Sequence, residues 1–408
     1  MLLKLLLNSL FFLSKKVYLA INQIKTNFIL KKIFIFFIFL LFSFPVQAKV
    51  KSKDISFPKH FYVEQIETCP YFLGSDKFSS EITKDRIKSL LNLDWMSEWA
   101  KGNSRSVNHE NLSKPMKSFS IATHNAVGEN NKESINEAKQ IIVELAKKDF
   151  LFNTIGKKEL KNKPNCWANG DGNAPCWYHA YEFARDGFAN LMIIAIYLKE
   201  DLNKEEFTIL NKYIKKMYKK FVQPDAFYDE NKGFYAMGNG GTPNLIFAHW
   251  SNDKKLSAKE FNFRFYQIDK LFYEDGYINN NSFRGYRGLW YHSYGLYSAL
   301  GYIYLAKLWG VKVPDNVMNK VKKASEILNL GITNYEKFSS REYDGEQNNN
   351  KYKKKNARMH THQDALAIDT LMEMITGVKL ETDPTYLYKR PNSGIDDLIG
   401  FNANCIKK

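Results

Sequence analysis

The chain contains seven segments of helical length in which apolar residues recur at spacings of three and four, and few segments alternate as β-strands do. The stretch 141–146, Ile-Ile-Val-Glu-Leu-Ala, is typical of them. We predict helices at 134–149, 179–200, 204–222, 257–273, 286–309, 315–330 and 362–376. The connecting segments 164–175, 223–245 and 341–358 are rich in Gly, Asn and Pro. This order predicts an all-α chain of stacked helical hairpins.

Start and stop signals agree with several of these boundaries. Asp315 stands where a helix would begin, and Gly310 and Gly377 follow two predicted helices at positions where glycine commonly ends them. None of these connecting segments divides the chain convincingly into two domains. We therefore predict one domain over 49–408.

Residues 1–48 have the features of an export signal. The apolar run 33–44 follows Lys31-Lys32 and precedes 46–48, Val-Gln-Ala, which places small residues at the −3 and −1 positions. A bilayer span needs about 20 apolar residues, so the run predicts a secretory signal peptide with an extended leader rather than a permanent anchor. We expect the mature chain to be periplasmic or secreted, with no membrane contact beyond this signal.

The chain is basic, and much of the positive charge lies outside the leader. Removing the six lysines of the leader from a formal net charge of +16 leaves +10. A basic cleft would concentrate an acidic polymer, while abundant Lys, Asn, Ile and Phe are also typical of AT-rich coding sequence. No nucleic-acid motif and no phosphate-binding glycine loop accompanies the charge.

Four cysteines in an exported chain suggest two disulfides. Cys166 and Cys176 flank one loop and form the natural local pair, which leaves Cys69 to join Cys405. The alternative is that the cysteines are buried free thiols. Their spacing matches no zinc site.

The segment 284–292 reads Arg-Gly-Tyr-Arg-Gly-Leu-Trp-Tyr-His. It is the stretch of the chain richest in side chains that could take part in a reaction. If it is helical, Arg284, Arg287 and Tyr291 share one face. Arginine binds carboxylates bidentately, and a phenol beside cations ionises more readily and can exchange a proton. The alternative is an aromatic core stripe flanked by surface arginines.

This segment resembles the signature helix of the polysaccharide lyases that degrade alginate, the poly(mannuronate) lyase type. In that family one Arg precedes the catalytic Tyr by seven residues, a second Arg precedes it by four, and a His follows it. Arg284, Arg287, Tyr291 and His292 match these positions, and the turn 276–280 matches the one that the family places before them. The resemblance covers 261–310 and implies an (α/α) toroid, a ring of antiparallel helical hairpins.

The resemblance also implies a reaction and assigns roles. Such lyases cleave an acidic polyuronate by β-elimination without a cofactor, with Tyr as base and acid and with Arg, Asn and His neutralising the carboxylate. Here Tyr291 would be base and acid, and Arg284 would either lower the apparent charge of Tyr291 or hold the substrate carboxylate. The Asn-Asn-His triplet of the family is missing from the corresponding region, where Asn244 or Asn239 could supply the amide and His249 is the nearest imidazole.

Several further residues are candidates for substrate binding. Arg287 could bind a neighbouring carboxylate or pair with an acid, and His292 could support the Tyr backbone or pack in the core. His179 is a possible replacement for His249, and Trp177 and Trp250 could stack on sugar rings or belong to an ordinary core. His360, His362 and Asp364 show no further metal ligand, so we predict no metal site.

Three classes of function fit these observations. The leading hypothesis is a lyase that acts on alginate or a related polyuronate. The second is a toroid glycoside hydrolase, which needs two carboxyl groups flanking the scissile bond. Asp186, Asp275 and Asp364 are candidate acids, but none of them falls in a convincing pair. The third is a descendant that binds uronates without turnover, which the missing triplet favours.

Overall fold

In the computed structural model, the described residues are 49–73, 76–82, 90–93, 112, 114–154, 176–223, 237–279, 281–284, 288–341 and 365–381. By its internal contacts the chain divides into two compact units, residues 1–49 and 50–408. The predicted leader and the loops 164–175 and 342–358 lie outside the described residues. Every described helix and strand belongs to the second unit.

The described residues fold mainly into α-helices, as the sequence predicts. The helices are α1 (Lys114–Gly128), α2 (Lys132–Lys147), α3 (Cys176–Tyr197), α4 (Lys204–Phe221), α5 (Met237–Ser251), α6 (Lys254–Leu271), α7 (Gly288–Leu308), α8 (Asp315–Thr333), α9 (Tyr335–Ser339) and α10 (Ala365–Thr376). Short 3-10 helices lie at Ser52–Asp54, Ile66–Thr68 and Lys199–Asp201. Within the described ranges, none of these helices is both long and apolar enough to cross a bilayer.

Strand structure is minimal in the described part of the chain. β1 (Phe72–Leu73) pairs antiparallel with β2 (Asp76–Lys77), with Phe72 opposite Lys77. The rest of the described fold is built from helix packing.

Side-chain caps and left-handed glycines set many of the helix boundaries. The Asn203 side chain accepts hydrogen bonds from the Glu205 and Glu206 amides, and the Glu206 carboxylate accepts one from the Asn203 amide. This reciprocal arrangement is a capping box. Gly310 and Gly377 both have φ of +74°, the conformation that ends a helix at low cost in glycine. The predicted stops at these two glycines are therefore confirmed.

The structure corrects one predicted loop. The glycines and Pro243 of the range 223–245 predict a loop, yet α5 begins at Met237 and contains that proline. Thr242, Asn244 and Leu245 are all buried. Tertiary packing against α3 and α6 thus outweighs the weak local helix propensity.

The long helices form two layers that follow the order of the chain. α1, α3, α5, α7 and α10 contact one another in that succession, and we call them the inner helices. α2 contacts α4, and α6 contacts α8, while each also packs on an inner helix. This alternation is the expected packing of successive helical hairpins.

Residues 55–71, which we call the strap, cross the C-terminal ends of the first two inner helices. The His124 ring donates from Nε2 to the Cys69 carbonyl at 2.9 Å, and the Asn125 side chain accepts from the Tyr71 amide at 2.8 Å. The Tyr197 hydroxyl lies 3.3 Å from Nδ1 of His124. His124 and Asn125 lie near the end of α1, and Tyr197 is the last residue of α3.

The strap meets the ends of α5 and α7 in the same way. His249 donates from Nε2 to the Pro58 carbonyl at 2.8 Å. The Tyr304 hydroxyl donates to the Tyr62 carbonyl at 2.6 Å, and the Ser56 amide donates to the carbonyl of Trp309, just past the end of α7, at 2.8 Å. The inner helices α1, α3, α5 and α7 all present their C-terminal ends to the strap, so they run in the same direction. Their N-terminal ends therefore lie together on the opposite side, which we call the open end.

Candidate functional site

Arg284 and Tyr291 contact each other at the open end. The Arg284 guanidinium carbon lies 4.3 Å from the centroid of the Tyr291 ring, a distance typical of a cation–π contact. Both side chains are partly exposed. Arg284 precedes α7, which begins at Gly288, so it reaches the phenol from a loop and not along a helix face. The two residues at the centre of the sequence hypothesis are therefore brought together, by a different local geometry.

Tyr291 differs from the tyrosines of the core in being reachable. Tyr197, Tyr213 and Tyr302 are buried, and desolvation raises the pKa of each phenol above its usual range. Burial likewise raises the pKa of Tyr304 to about 12. These phenols are unsuited to proton exchange near neutral pH. Tyr291, by contrast, is partly exposed and lies beside a guanidinium.

The loop that carries Arg284 is bonded to the helix that carries Tyr291. The Asn281 side-chain amide donates to the Tyr291 carbonyl at 2.8 Å. The Ser282 hydroxyl lies 2.8 Å from Nδ1 of His292, and Nε2 of His292 donates to the Ala324 carbonyl at 2.8 Å. The loop is thus joined to α7 directly and to α8 through His292.

The predicted contact of His292 with substrate is contradicted by its burial. The side chain has no exposed surface, and desolvation lowers the pKa of its imidazole to about 4. It is therefore neutral at pH 7 and cannot touch a sugar. The alternative, that it packs in the core, agrees with its burial and with its contacts to Ser282 and Ala324.

Arg341 holds the other side of the same loop. Its guanidinium carbon lies over the rings of Tyr273, Tyr277 and Phe283 at 5.3, 5.7 and 5.3 Å. Its Nε donates to Asp275 at 2.9 Å. Phe283 is the neighbour of Arg284 in the chain, so this stacking restrains the backbone that presents the catalytic candidate. It also engages Asp275, one of the carboxylates considered for hydrolysis.

Asn244 belongs to a buried polar network between α4, α5 and α6. Its side chain accepts from the Tyr218 hydroxyl and donates to Glu260, both at 3.2 Å. Glu260 in turn pairs with Arg264 at 2.5 Å, and both side chains are almost completely buried. Asn244 is only 2% exposed, so its amide is committed to the packing of the helices and does not face a substrate.

His249 and Trp250 lie at the strap end of α5. His249 packs against Phe57 and Trp309 with ring centroids 5.3 and 5.9 Å away. Trp309 stands eighteen residues after Tyr291, which is about 27 Å along a helix. Trp250 is buried and stacks on Phe207 at 5.3 Å. The structure does not bring either residue to Tyr291, because the direction of α5 carries them to the far end.

The remaining candidates can be placed only through their backbone. Trp177 and His179 lie in the first turn of α3, and Asn239 lies in the first turn of α5. The starts of these inner helices lie at the open end, as does the start of α7. The side chains of these three residues lie outside the described part of the structure, and Arg287 lies outside the described residues altogether.

The described ranges contain no group of three or more His, Cys, Asp or Glu that could hold a metal ion. The cluster 360–364 is outside those ranges. Cys69, near the end of the strap, is buried, and the other three cysteine side chains are not described. The disulfide pairing stays a prediction.

Sequence reasoning missed the residues that hold the loop. Asn281 and Ser282 lie directly after the turn 276–280, and Arg341 lies 57 positions beyond Arg284 in the chain. A polar pair just ahead of a helix is a recognisable signal, because such residues often bond to the first turn. No local signal links Arg341 to Phe283. Comparison of the chain with protein-family models, curated proteins and solved structures found no match.

Proposed function

We propose that the protein is an exported polysaccharide lyase that cleaves an acidic polyuronate, with alginate first among the substrates, by β-elimination. The observation that carries the proposal is the Arg284–Tyr291 contact at 4.3 Å. It joins a group that can exchange a proton to a group that can bind a carboxylate, and both are partly exposed at the open end.

Elimination makes specific demands on the site. The Tyr291 oxygen, as phenolate, takes the proton at C5 of the uronate, and the C–H electron pair becomes the C4–C5 double bond. The C4–O bond breaks, and the leaving oxygen takes a proton, which the same phenol can supply when both groups lie on one face. Arg284 binds the C6 carboxylate and offsets the negative charge that develops on it.

The open end suits a polyanion. The N-terminal ends of α3, α5 and α7 lie there, and the first amides of a helix carry partial positive charge that attracts anions. The part of the chain after the leader also keeps a formal charge of +10. These features support an acidic ligand, while the Arg284–Tyr291 pair supports a reaction upon it.

The carboxylate must be neutralised by groups other than Asn244 and His249, since both side chains are buried and hydrogen-bonded within the fold. Asn239, His179 and Arg287 are the candidates that remain, and Trp177 is the remaining aromatic candidate for stacking on a sugar. Their proposed roles rest on their places at or near the starts of inner helices.

The ring closure of an (α/α) toroid is part of the same proposal. The succession of inner helices and their paired outer helices supports a curved stack of hairpins. Closure would place the open end around a central cleft. The signal peptide, the periplasmic or secreted location and the two disulfides belong to the proposal as well.

Binding without turnover is the second candidate function. It is favoured by the burial of Asn244 and His249, which leaves the family's Asn and His roles without a described occupant. In that case Arg284 would hold the uronate and Tyr291 would serve only as a contact.

One assay separates these functions. The mature protein is incubated with alginate, pectate and glucuronan, and the ultraviolet absorbance of the C4–C5 double bond is followed together with the release of reducing ends. A lyase raises both signals, and a hydrolase raises the reducing ends alone. A protein that only binds raises neither signal, but its migration is slowed in a gel that contains the polymer.

Tyr291→Phe tests the assigned base, with Tyr294→Phe as the matched control one turn further along α7. Loss of a general base or acid costs about 10²–10⁴ in rate, so Tyr291→Phe should lose elimination by at least about a hundredfold and still bind polymer. Tyr294→Phe should stay near the wild-type rate. A Tyr291→Phe variant that retains full activity would falsify the assignment.

A further inference from the structure

We infer that Ser282 and His292 form a tether whose role is to position Arg284 against Tyr291. The tether consists of the hydrogen-bonded chain from the Ile278 amide through Ser282 and His292 to the Ala324 carbonyl. This inference rests on the proposed function, because it assigns a positioning residue to that same site. It makes His292 a residue that acts through others and does not touch substrate.

The donors and acceptors of the tether fix one arrangement. The Ala324 carbonyl can only accept, so Nε2 of His292 carries the proton and donates at 2.8 Å. Nδ1 of the neutral ring is then an acceptor, and the Ser282 hydroxyl donates to it at 2.8 Å. The hydroxyl oxygen itself accepts from the Ile278 amide at 2.8 Å. Each of these groups is used, so the chain has a single direction.

The tether is enclosed and joins three elements. Ser282 and His292 are both buried, so water does not compete for these bonds. Ser282 belongs to the loop that carries Arg284, His292 follows Tyr291 on α7, and Ala324 lies in the middle of α8. A shift of the loop relative to α7 must break at least one bond of the tether.

A second hold lies beside the first. The buried Asn281 amide donates to the Tyr291 carbonyl at 2.8 Å. A Cβ added to Gly295 would lie 2.5 Å from Nδ2 of Asn281, which leaves no room for any larger residue. A Cβ on Gly288 would collide with the Ser282 carbonyl. The loop is therefore bonded to α7 through two consecutive residues, Asn281 and Ser282. They precede Arg284 by three and two residues.

Positioning of this kind has a measurable effect on rate. A misplacement of about 1 Å from a change outside the reacting groups can cost about a hundredfold. Arg284 follows Ser282 by two residues, so release of the tether moves the guanidinium rather than the phenol. The tether should accordingly matter only while Arg284 is present.

The test is a double-mutant cycle on elimination by the mature protein, with alginate as substrate. Ser282→Ala should lower kcat/KM by about tenfold. The same change in an Arg284→Ala background should lower it by less than about twofold. Ser257→Ala is the matched control, because Ser257 is also buried and its hydroxyl bonds to the carbonyl of Asp253, the N-cap of its own helix. Equal effects of Ser282→Ala in both backgrounds would overturn the inference.

Asn281→Ala serves as an independent second variant if Ser282→Ala does not fold. It removes the other hold on the same loop, so it should show the same dependence on Arg284. An effect of Asn281→Ala that persists without Arg284 would also count against positioning.

Hydrogen exchange separates failure of the tether from failure of the proposed function. In Ser282→Ala, amides within 278–292 should exchange at least about tenfold faster than in Ser257→Ala, whether or not any polymer is cleaved. If the wild-type chain cleaves none of the polymers, the lyase proposal fails and the exchange alone decides the tether. Unchanged exchange in 278–292 would refute it.

Discussion

Acidification should destabilise the fold through three buried histidines. Burial lowers the pKa of His124, His249 and His292 to about 4, against 6.5 for the free side chain. Each imidazole is bonded through Nε2 to a backbone carbonyl and sits in the core. In the unfolded chain the same rings should titrate near their ordinary value.

The direction of the pH effect on stability follows from the folded and unfolded pKa values of these histidines. Because the folded pKa is the lower one, the unfolded chain binds more protons between about pH 6.5 and about pH 4, and stability falls as the pH falls through that window. At about pH 5, a group with these two pKa values favours the unfolded chain about thirtyfold, or ~2 kcal/mol. Three such histidines together remove about 6 kcal/mol, which is comparable with the 5–15 kcal/mol stability of typical domains.

Urea unfolding of the wild type and of His249→Phe, followed by circular dichroism, tests the argument. Phenylalanine suits the aromatic surroundings of Phe57, Phe61 and Trp309 but loses the bond to the Pro58 carbonyl. At about pH 7 the variant should be less stable by about 1 kcal/mol. At about pH 5 it should be the more stable protein, because it is spared ~2 kcal/mol.

All other titrating groups are shared by the two proteins, so the difference between them isolates His249. If the two free energies of unfolding fall in parallel from about pH 7 to about pH 5, His249 does not contribute to the loss of stability. That result would mean that the ring is already protonated in the folded chain, or that it stays neutral in the unfolded one.

Two further predictions concern buried contacts. Arg264→Met should cost about 3–5 kcal/mol in unfolding free energy, because it leaves the buried Glu260 carboxylate without the charge of Arg264. The double change with Glu260→Leu should recover part of this, because it removes the buried charge but also takes away the acceptor of the Asn244 amide; a double variant as unstable as the single one would contradict the prediction. Gly295→Ala should cost about 1–3 kcal/mol, because the new Cβ would lie 2.5 Å from Nδ2 of Asn281. A thermal midpoint equal to that of the wild type would show that Asn281 moves aside freely.

The helices that the sequence predicts are those with an apolar face. The prediction 204–222 agrees with α4, which buries Leu210, Ile214 and Met217 on one side. The helix α1 is not among the predicted ones, because its buried face near the C-terminal end is polar. Thr123 and His124 are both buried there, and bonds to the backbone make that burial tolerable. A search for apolar spacing cannot detect such a face.

The site is predictable only as far as its residues are close in sequence. Arg284 and Tyr291 lie seven apart, and the motif that contains them identifies the pair. His249 is a candidate only through its position in the chain relative to Tyr291. The sequence does not specify the direction in which α5 runs relative to α7, and that direction places His249 near Trp309. Long-range placement of this kind depends on the packing of whole helices.

The two ends of the inner helices make different contacts, and in α7 these contacts lie far apart. At its C-terminal end Tyr304 and Trp309 bond to the strap, and at its N-terminal end Tyr291 meets Arg284. About 27 Å of helix separates Trp309 from Tyr291, which exceeds the range of about 7–10 Å beyond which substitutions usually act independently. Substitutions at the exposed residues of the open end should therefore leave the contacts that hold the helices parallel at the strap end unchanged.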